Sequence, residues 1–260
     1  MDGSASTAAP QGPWFGDVRR YAELASTSST AAALVRAAPE LAGQLVVVAD
    51  HQSAGRGRLG RRWEAPAGSS LLVSVALGRP GRPGRGRLPA PLATLAMAVA
   101  AVEACTAVTA VDLALKWPND VVTPGGAKVG GVLGEAVGQG ADQAVVVGLG
   151  LNLNWGTANP PANGASLDRM AGGAVDPEAV LTALLDHLAR ALRASPEALL
   201  ERYRGLCTTL GRRARVDLGP GRPPLEGTAV AVTDEGHLVL DDGNGSHVVA
   251  AGDVVHLRPA

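Results

Sequence analysis

The residues best placed to do chemistry lie in three short stretches. Gly55-Arg56-Gly57-Arg58-Leu59-Gly60-Arg61-Arg62-Trp63 is a glycine loop carrying arginines and closed by a tryptophan. Lys116-Trp117-Pro118-Asn119-Asp120 adds an ammonium, an amide and a carboxylate, and Lys128-Val129-Gly130-Gly131 adds a second ammonium and two glycines. Arginine forks pair bidentately with carboxylate or phosphate, and lysine supplies a mobile point charge. Such a set can neutralise two anions that must react with each other, as in joining a carboxylate to a nucleotide α-phosphate. Asp120, beside Asn119, suits Mg²⁺ held against a triphosphate, because magnesium is bound by one or two carboxylates plus phosphate oxygens. A glycine-rich loop can close over a reactive anhydride and exclude water.

Other readings of the same residues are weaker. Gly55, Gly57 and Gly60 have dinucleotide-fingerprint spacing, but arginines fill the gaps and no helix is expected to follow. Gly-Arg-Gly-Arg resembles a nucleic-acid patch, yet no aromatic residue interleaves it to stack bases. The formal net charge of −1 gives no bulk attraction to nucleic acid or membrane.

The elements that must position these groups follow from periodicity. Ser26 to Thr30 precede an alanine-rich helix; their hydroxyls suit helix capping and equally suit polar ligand atoms at a helix start. Leu45 to Ala49 reads as a strand, left by Asp50-His51-Gln52-Ser53. Ser70 to Leu77 alternates with the period of a strand. Residues 78–91 read as a Gly/Pro/Arg linker loop and Pro91 to Val108 as a buried helix, since Glu103 and Asp112 interrupt the apolar run that a membrane span requires. Val111 to Trp117 reads as a strand that Pro118 ends, leaving Asn119 and Asp120 in a loop. Lys128 to Ala136 is a strand containing Gly130-Gly131. In the strand Ala144 to Leu153, one face carries Val145, Val147, Leu149, Leu151 and Leu153, and the other Val146, Gly148, Gly150 and Asn152. That bare face suits a flat ring laid on the sheet or a closely packed helix. Two helices start at Pro177 and Pro196. After Gly211, four short strands separated by glycine turns predict a small β-barrel.

The chain of 260 residues, 46% hydrophobic, is long enough for a medium domain and a small one. The expected division is a flexible tail over 1–20, a catalytic domain over 21–209 and a barrel over 210–260. Two cysteines, Cys105 and Cys207, with no paired spacing, argue against a disulfide framework and fit a reducing cytoplasm. Met1 to Gln11 has neither a basic start nor an apolar core, so no secretory signal is expected.

GRGRLGRRW, KWPND, KVGGVLGE and VVVGLGLNLN, in this order and approximate spacing, resemble the biotin–protein ligases, and the similarity runs from about Tyr21 to the C-terminus. It implies an α+β fold: a mixed sheet with helices packed on one side of it (the class II synthetase-like catalytic domain), then an SH3-like β-barrel. It implies an ATP-dependent enzyme that makes biotinyl-5′-adenylate and transfers biotin to a lysine of a biotin carboxyl carrier domain, with Mg²⁺ as cofactor. Carried over by motif, Ser28, Ser29 and Thr30 contact biotin, although the register Ser26-Thr27-Ser28 fits nearly as well. Gln52 bonds the biotin ring system. Gly55, Arg56, Gly57 and Arg58 cover biotin and adenylate, with Lys128 at the reacting anions and Gly131 beside it. Arg56, Arg58 and Lys128 are the catalytic candidates. Lys116, Asn119 and Asn152 belong to the ATP site, Trp63 supports its adenine side, and Asp120 is the metal ligand. His51 has no assigned role. The regulatory DNA-binding domain of some relatives has no counterpart, so the resemblance implies the monofunctional type, without operator binding and either monomeric or weakly dimeric. Lipoate and octanoate ligases share the fold but lack the GRGRxGR loop, and a non-catalytic biotin- or nucleic-acid-binding module would not need Lys116, Asp120 and Lys128 together.

Overall fold

The computed structural model describes residues 15–78, 88–139, 143–158, 160–161, 163–219, 221–250 and 252–257. The expected tail up to residue 14 and the centre of the expected 78–91 linker lie outside these. Residues 17–20 are not tail: β1 (Asp17–Leu24) is an edge strand, parallel to β2 (Leu45–Gln52). β3 (Ser70–Leu77), β4 (Ala114–Lys116), β5 (Asp120–Val122), β6 (Lys128–Val137) and β7 (Ala144–Asn152) complete a seven-stranded mixed sheet of order β1-β2-β3-β7-β6-β5-β4.

Its central strands are apolar on both faces because both faces are covered. On one face Leu45, Val47, Ala76 and Val146 pack against α1 (Thr27–Ala37). On the other, Val46, Val48, Val73, Val75 and Val147 join α2 (Ala90–Thr109) and α4 (Pro177–Arg193) in the main core. The expected placement of helices on one side is therefore corrected, since α1 lies opposite the rest. α2 has the length and apolarity of a membrane span, but it is sandwiched in this core. Glu103 of α2 pins its two neighbours, accepting from His187 of α4 at 2.8 Å and from Arg202 of α5 (Pro196–Leu206). A short α3 (Leu167–Ala171) follows β7.

β8 (Arg213–Asp217), β9 (Leu225–Val232), β10 (Leu238–Asp241), β11 (Ser246–Val249) and β12 (Asp253–His256) form an antiparallel sheet of order β11-β10-β9-β8-β12. This corrects the expected SH3-like barrel. β11 pairs with β10 and β12 with β8, and the two end strands do not meet, so the sheet is open. Its apolar face has another partner: Ala214, Val216, Ala229, Leu238 and Leu240 belong to the same core as α2, so the sheet need not curl on itself to bury them. The docking is also polar. Trp117 donates its indole N–H to the Gly236 carbonyl at 3.0 Å and its amide to Thr209 Oγ1 at 3.0 Å.

Candidate active site

A cavity of about 380 Å³ opens on the α1 face of the large sheet. Its innermost end is a closed set of neutral hydrogen bonds. Gln52 Oε1 accepts from the Thr27 amide at 2.8 Å and from Thr27 Oγ1 at 3.0 Å. Ser74 Oγ donates to Thr27 Oγ1 at 2.8 Å and lies 3.0 Å from Ser28 Oγ. Helix α1 begins at Thr27 with Ser26 as its cap, so Ser26, Thr27 and Ser28 are buried and line the cavity. Of the expected segment, Ser28 and Gln52 are there. Ser29 is exposed and its Oγ accepts from Arg56 at 3.5 Å, and Thr30 does not line the cavity, whereas Ser26 and Thr27 of the alternative register do.

The bare face of β7 is the floor, and each glycine has its own cause. A Cβ on Gly148 would lie 2.4 Å from Ser28 Oγ, and one on Gly150 would lie 2.5 Å from Trp63 Cε2. The first glycine admits the start of α1; the second carries the indole of the chain's own tryptophan. The close helix packing expected for this face is found at Gly148, and at Gly150 the covering ring is the protein's own indole.

The arginine loop folds back on itself. Trp63 donates its amide to the Gly55 carbonyl at 3.0 Å and Gly57 to the Arg61 carbonyl at 2.8 Å. Gly55 is required where the arms meet, because a Cβ there would lie 2.3 Å from the Trp63 carbonyl oxygen. Gly55 itself closes the hairpin and does not line the cavity, whereas Arg56, Gly57, Arg58 and Trp63 do. Arg56 pairs with Glu135 of β6 at 2.5 Å, Arg61 with Asp253 of β12, and Arg58 donates to Asn119 Oδ1 at 3.3 Å. The loop is thereby tied to three separate elements.

Asn119 lies in the turn expected after the strand, but Asp120 already opens the next strand. β4 and β5 form a hairpin whose turn holds the cis Trp117-Pro118 bond, with Lys116 paired opposite Asp120. Pro118 ends one strand, and the chain turns straight into the next. Asp120 accepts from Lys128 Nζ at 2.5 Å, and that ammonium sits 5.8 Å from the centre of the Trp63 ring. Gly131 leaves room for it, since a Cβ there would lie 3.2 Å from Nζ. Asn119 is fixed by donating Nδ2 to the Val132 carbonyl at 2.9 Å. Burial pulls the pKa of Lys116 and of Arg58 below the ordinary values, and in each case Asp120 opposes the shift.

Asn152 is outside the cavity. It is buried and donates to the Ala165 carbonyl at 3.0 Å, holding the segment after β7. His51 also does not line the cavity. Arg61, of the arginine loop, also lines the cavity without having been given a role, and Ser74, Glu135, Asp253, Val254 and Val255 belong to or brace the site without being anticipated. Ser74 sits on a strand whose alternation was read from the sequence and Glu135 on the expected strand Lys128 to Ala136; β12 carried no such signal.

Comparison with known proteins agrees with this architecture. Residues 23–152 match the biotin/lipoate A/B protein ligase family, and residues 209–257 match the biotin protein ligase C-terminal domain. The biotin–[acetyl-CoA-carboxylase] ligase of Mycobacterium tuberculosis is 36% identical over 92% of this chain and 90% of its own length. That of Paracoccus denitrificans is 37% identical over 89% and 98% respectively. The structure of the Aquifex aeolicus biotin protein ligase in complex with biotin and ATP superposes with a TM-score of 0.76 at 25% identity, covering 94% of this chain and all of that one. The chain belongs to the biotin/lipoate A/B protein ligase family, among its biotin–protein ligases.

Proposed function

We propose that this chain condenses biotin with ATP to biotinyl-5′-adenylate and pyrophosphate, then passes biotin to a lysine of a biotin carboxyl carrier domain. The observation that carries this reading is one continuous cavity with a neutral hydrogen-bonding end and a cationic end. The ureido ring fits Ser28, Thr27 and Gln52, which offer both donors and acceptors. The carboxylate then lies toward Trp63 and Lys128. There Lys128, Arg56 and Arg58 neutralise the carboxylate and the α-phosphate as the carboxylate oxygen attacks phosphorus and pyrophosphate leaves. Lys116 reaches the polyphosphate side.

Lys128 pairs with Asp120 and Arg56 with Glu135, so binding of the substrates exchanges a carboxylate of the protein for one of theirs at both cations. Among the described residues no cluster of three or more His, Cys, Asp or Glu could hold a metal alone. Asp120 as a single carboxylate fits Mg²⁺ that takes its other ligands from phosphate and water. When bound, Mg²⁺ supplies charge neutralisation at the triphosphate.

The carrier domain of a biotin-dependent carboxylase is the proposed partner, and the cytoplasm the proposed site of action, in keeping with the two free buried cysteines. The proposed division is a catalytic unit that starts with β1 at Asp17 and runs to 209, and a C-terminal unit over 210–260 that completes the cavity through β12, in a monomer or weak homodimer. No nucleic-acid or membrane partner is proposed for a chain of net charge −1. Asn152 enters this reading as a support of the ATP side, not as a contact.

The test is biotin-dependent exchange of labelled pyrophosphate into ATP with Mg²⁺ and no carrier protein. Exchange with biotin, but not with lipoate or octanoate, is expected. Exchange with lipoate or octanoate instead would assign the chain to the other branch of the fold.

A further inference from the structure

A second hollow of about 170 Å³ adjoins the catalytic cavity. Arg58, Trp117, Pro118, Asn119, Val132 and Leu133 line both, so the two spaces share a wall. The remaining walls come from elsewhere: Ala90, Pro91 and Thr94 at the start of α2, Gly134 of β6, and Gly236 and Ala250 from the turns of the C-terminal sheet. Pro91 and Ala250 are exposed, so the hollow reaches the surface.

Its polar groups are unevenly placed. Thr94 spends its hydroxyl on the Ala90 carbonyl at 2.8 Å, leaving a small, mostly apolar shaft. The polar side chains are at the inner end, where Arg58 donates to Asn119 Oδ1 at 3.3 Å, a carbonyl-type oxygen with a second lone pair to offer. The shaft is narrow by construction: a Cβ on Gly134 would lie 2.4 Å from Thr94 Oγ1 and 2.9 Å from the Ala90 carbonyl oxygen.

An occupant must therefore be slim and aliphatic, with one polar head directed inward. A free phosphate or carboxylate, having no stem, would leave the apolar shaft unfilled. We propose that this hollow is the sleeve through which the acceptor lysine reaches the acyl carbon, its methylene stem between Ala90 and Ala250 and its amine at Asn119. The proposal rests on the ligase reading above, in which the adenylate already fills the main cavity and the acceptor has to enter by another way.

The inner end also bears on how the amine becomes a nucleophile. Arg58 lies there, and Lys116 and Arg61 line the adjoining cavity, so a cationic amine is disfavoured and the neutral one admitted. Asn119 Oδ1 can accept one N–H. The amine nitrogen attacks the biotinyl carbonyl carbon, the C–N bond forms, and the carbon–oxygen bond to phosphate breaks. AMP leaves with that electron pair, and the amine's proton passes to the leaving phosphate or to solvent. No dedicated basic side chain is required.

Two substitutions on opposite walls test this in the full chain: Ala250→Phe and Ala90→Leu. The probe is n-butylamine, whose attack on enzyme-bound biotinyl-5′-adenylate gives N-butylbiotinamide; hydroxylamine, which has no stem, is the control. Biotin-dependent pyrophosphate exchange reports folding and adenylation. The expected result is a tenfold or greater fall in the butylamine reaction in both variants. Hydroxylamine cleavage and exchange should be unchanged, and Ala250→Ser should behave as the parent. Unchanged butylamine rates, an equal fall with hydroxylamine, or lost exchange in both variants would each overturn the sleeve. Absence of biotin-dependent exchange in the parent would instead overturn the ligase reading.

Discussion

At the α1 end of the cavity, Thr27, Ser28, Gln52 and Ser74 satisfy one another within 3.0 Å, with nothing charged among them. At the other end, Lys128, Arg56 and Arg61 are each held by a carboxylate from a different strand, while burial disfavours the charge on Arg58 and Lys116. The first end satisfies its own hydrogen bonds. The second is a set of cations on loan to the protein's own carboxylates, to be exchanged for substrate anions. Neutral hydrogen bonds of fixed geometry discriminate shape, whereas exchangeable ion pairs respond to charge that develops during reaction. The proposed division of labour follows: the α1 end selects biotin, and the cationic end does the chemistry.

The largest effect is expected from breaking the charged end alone. Lys128→Ala should lower pyrophosphate exchange by roughly 10²–10³-fold, the scale for losing one electrostatic group at a reacting centre. The melting temperature should hardly move, because the Lys128–Asp120 pair is 40% and 23% exposed and such pairs contribute little to folding. Measuring exchange and thermal unfolding on one preparation separates the two. A large loss of stability with modest loss of exchange would make Lys128 a structural brace.

A smaller effect, confined to the other end, is expected from Gly148→Ala. The new methyl would meet Ser28 Oγ at 2.4 Å and Ser74 Oγ at 3.1 Å, so Ser28 must give up its place in the network. Losing one or two hydrogen bonds to the ligand corresponds to about tenfold weaker biotin binding. ATP affinity should be unaltered, and titration calorimetry with each ligand distinguishes the cases. Equal losses for both would show that the two ends are not separable.

Much of this arrangement was legible in local pattern. The alternation over β7 placed Gly148 and Gly150 on one face, and the glycine loop and two lysine motifs named most of the cation set. What escaped depends on distant partners. β1 reads as a polar stretch because it is an edge strand whose neighbour, β2, lies beyond a helix. The β4–β5 hairpin was hidden by Pro118, which marks the end of a strand but not that the next begins two residues later. β12 is four residues long and brings Asp253 to the loop, a contact set by how the two sheets dock. Whether the C-terminal sheet closes depends on its end strands meeting, and no local periodicity encodes that. Asn152 shares a face with Gly150 in the pattern, yet its amide serves the Ala165 carbonyl, because the chain turns there and needs a donor.

The smallest expected effect concerns the joint that holds the charged end in place. His256 of β12 lies 3.2 Å from Thr209 Oγ1, the same oxygen that accepts the Trp117 amide, so the small sheet braces the hairpin carrying Lys116 and Asp120. Burial, with Lys116 and Arg212 nearby, lowers the His256 pKa from 6.5 to about 4. The folded protein therefore holds this ring neutral where the unfolded chain would protonate it. The contribution to stability is fully present above pH 6.5 and is lost as pH falls toward 4. The ring is partly exposed, so the loss is partial. His256→Gln removes the titration while keeping a polar side chain, and its melting temperature should decline less steeply between those pH values than that of the parent. The difference between the two curves isolates this group from the carboxylates, which titrate in both. Parallel curves would mean that His256 is free to protonate in the folded state, and the link from β12 through Thr209 to the Lys116 hairpin would then be looser than the geometry indicates.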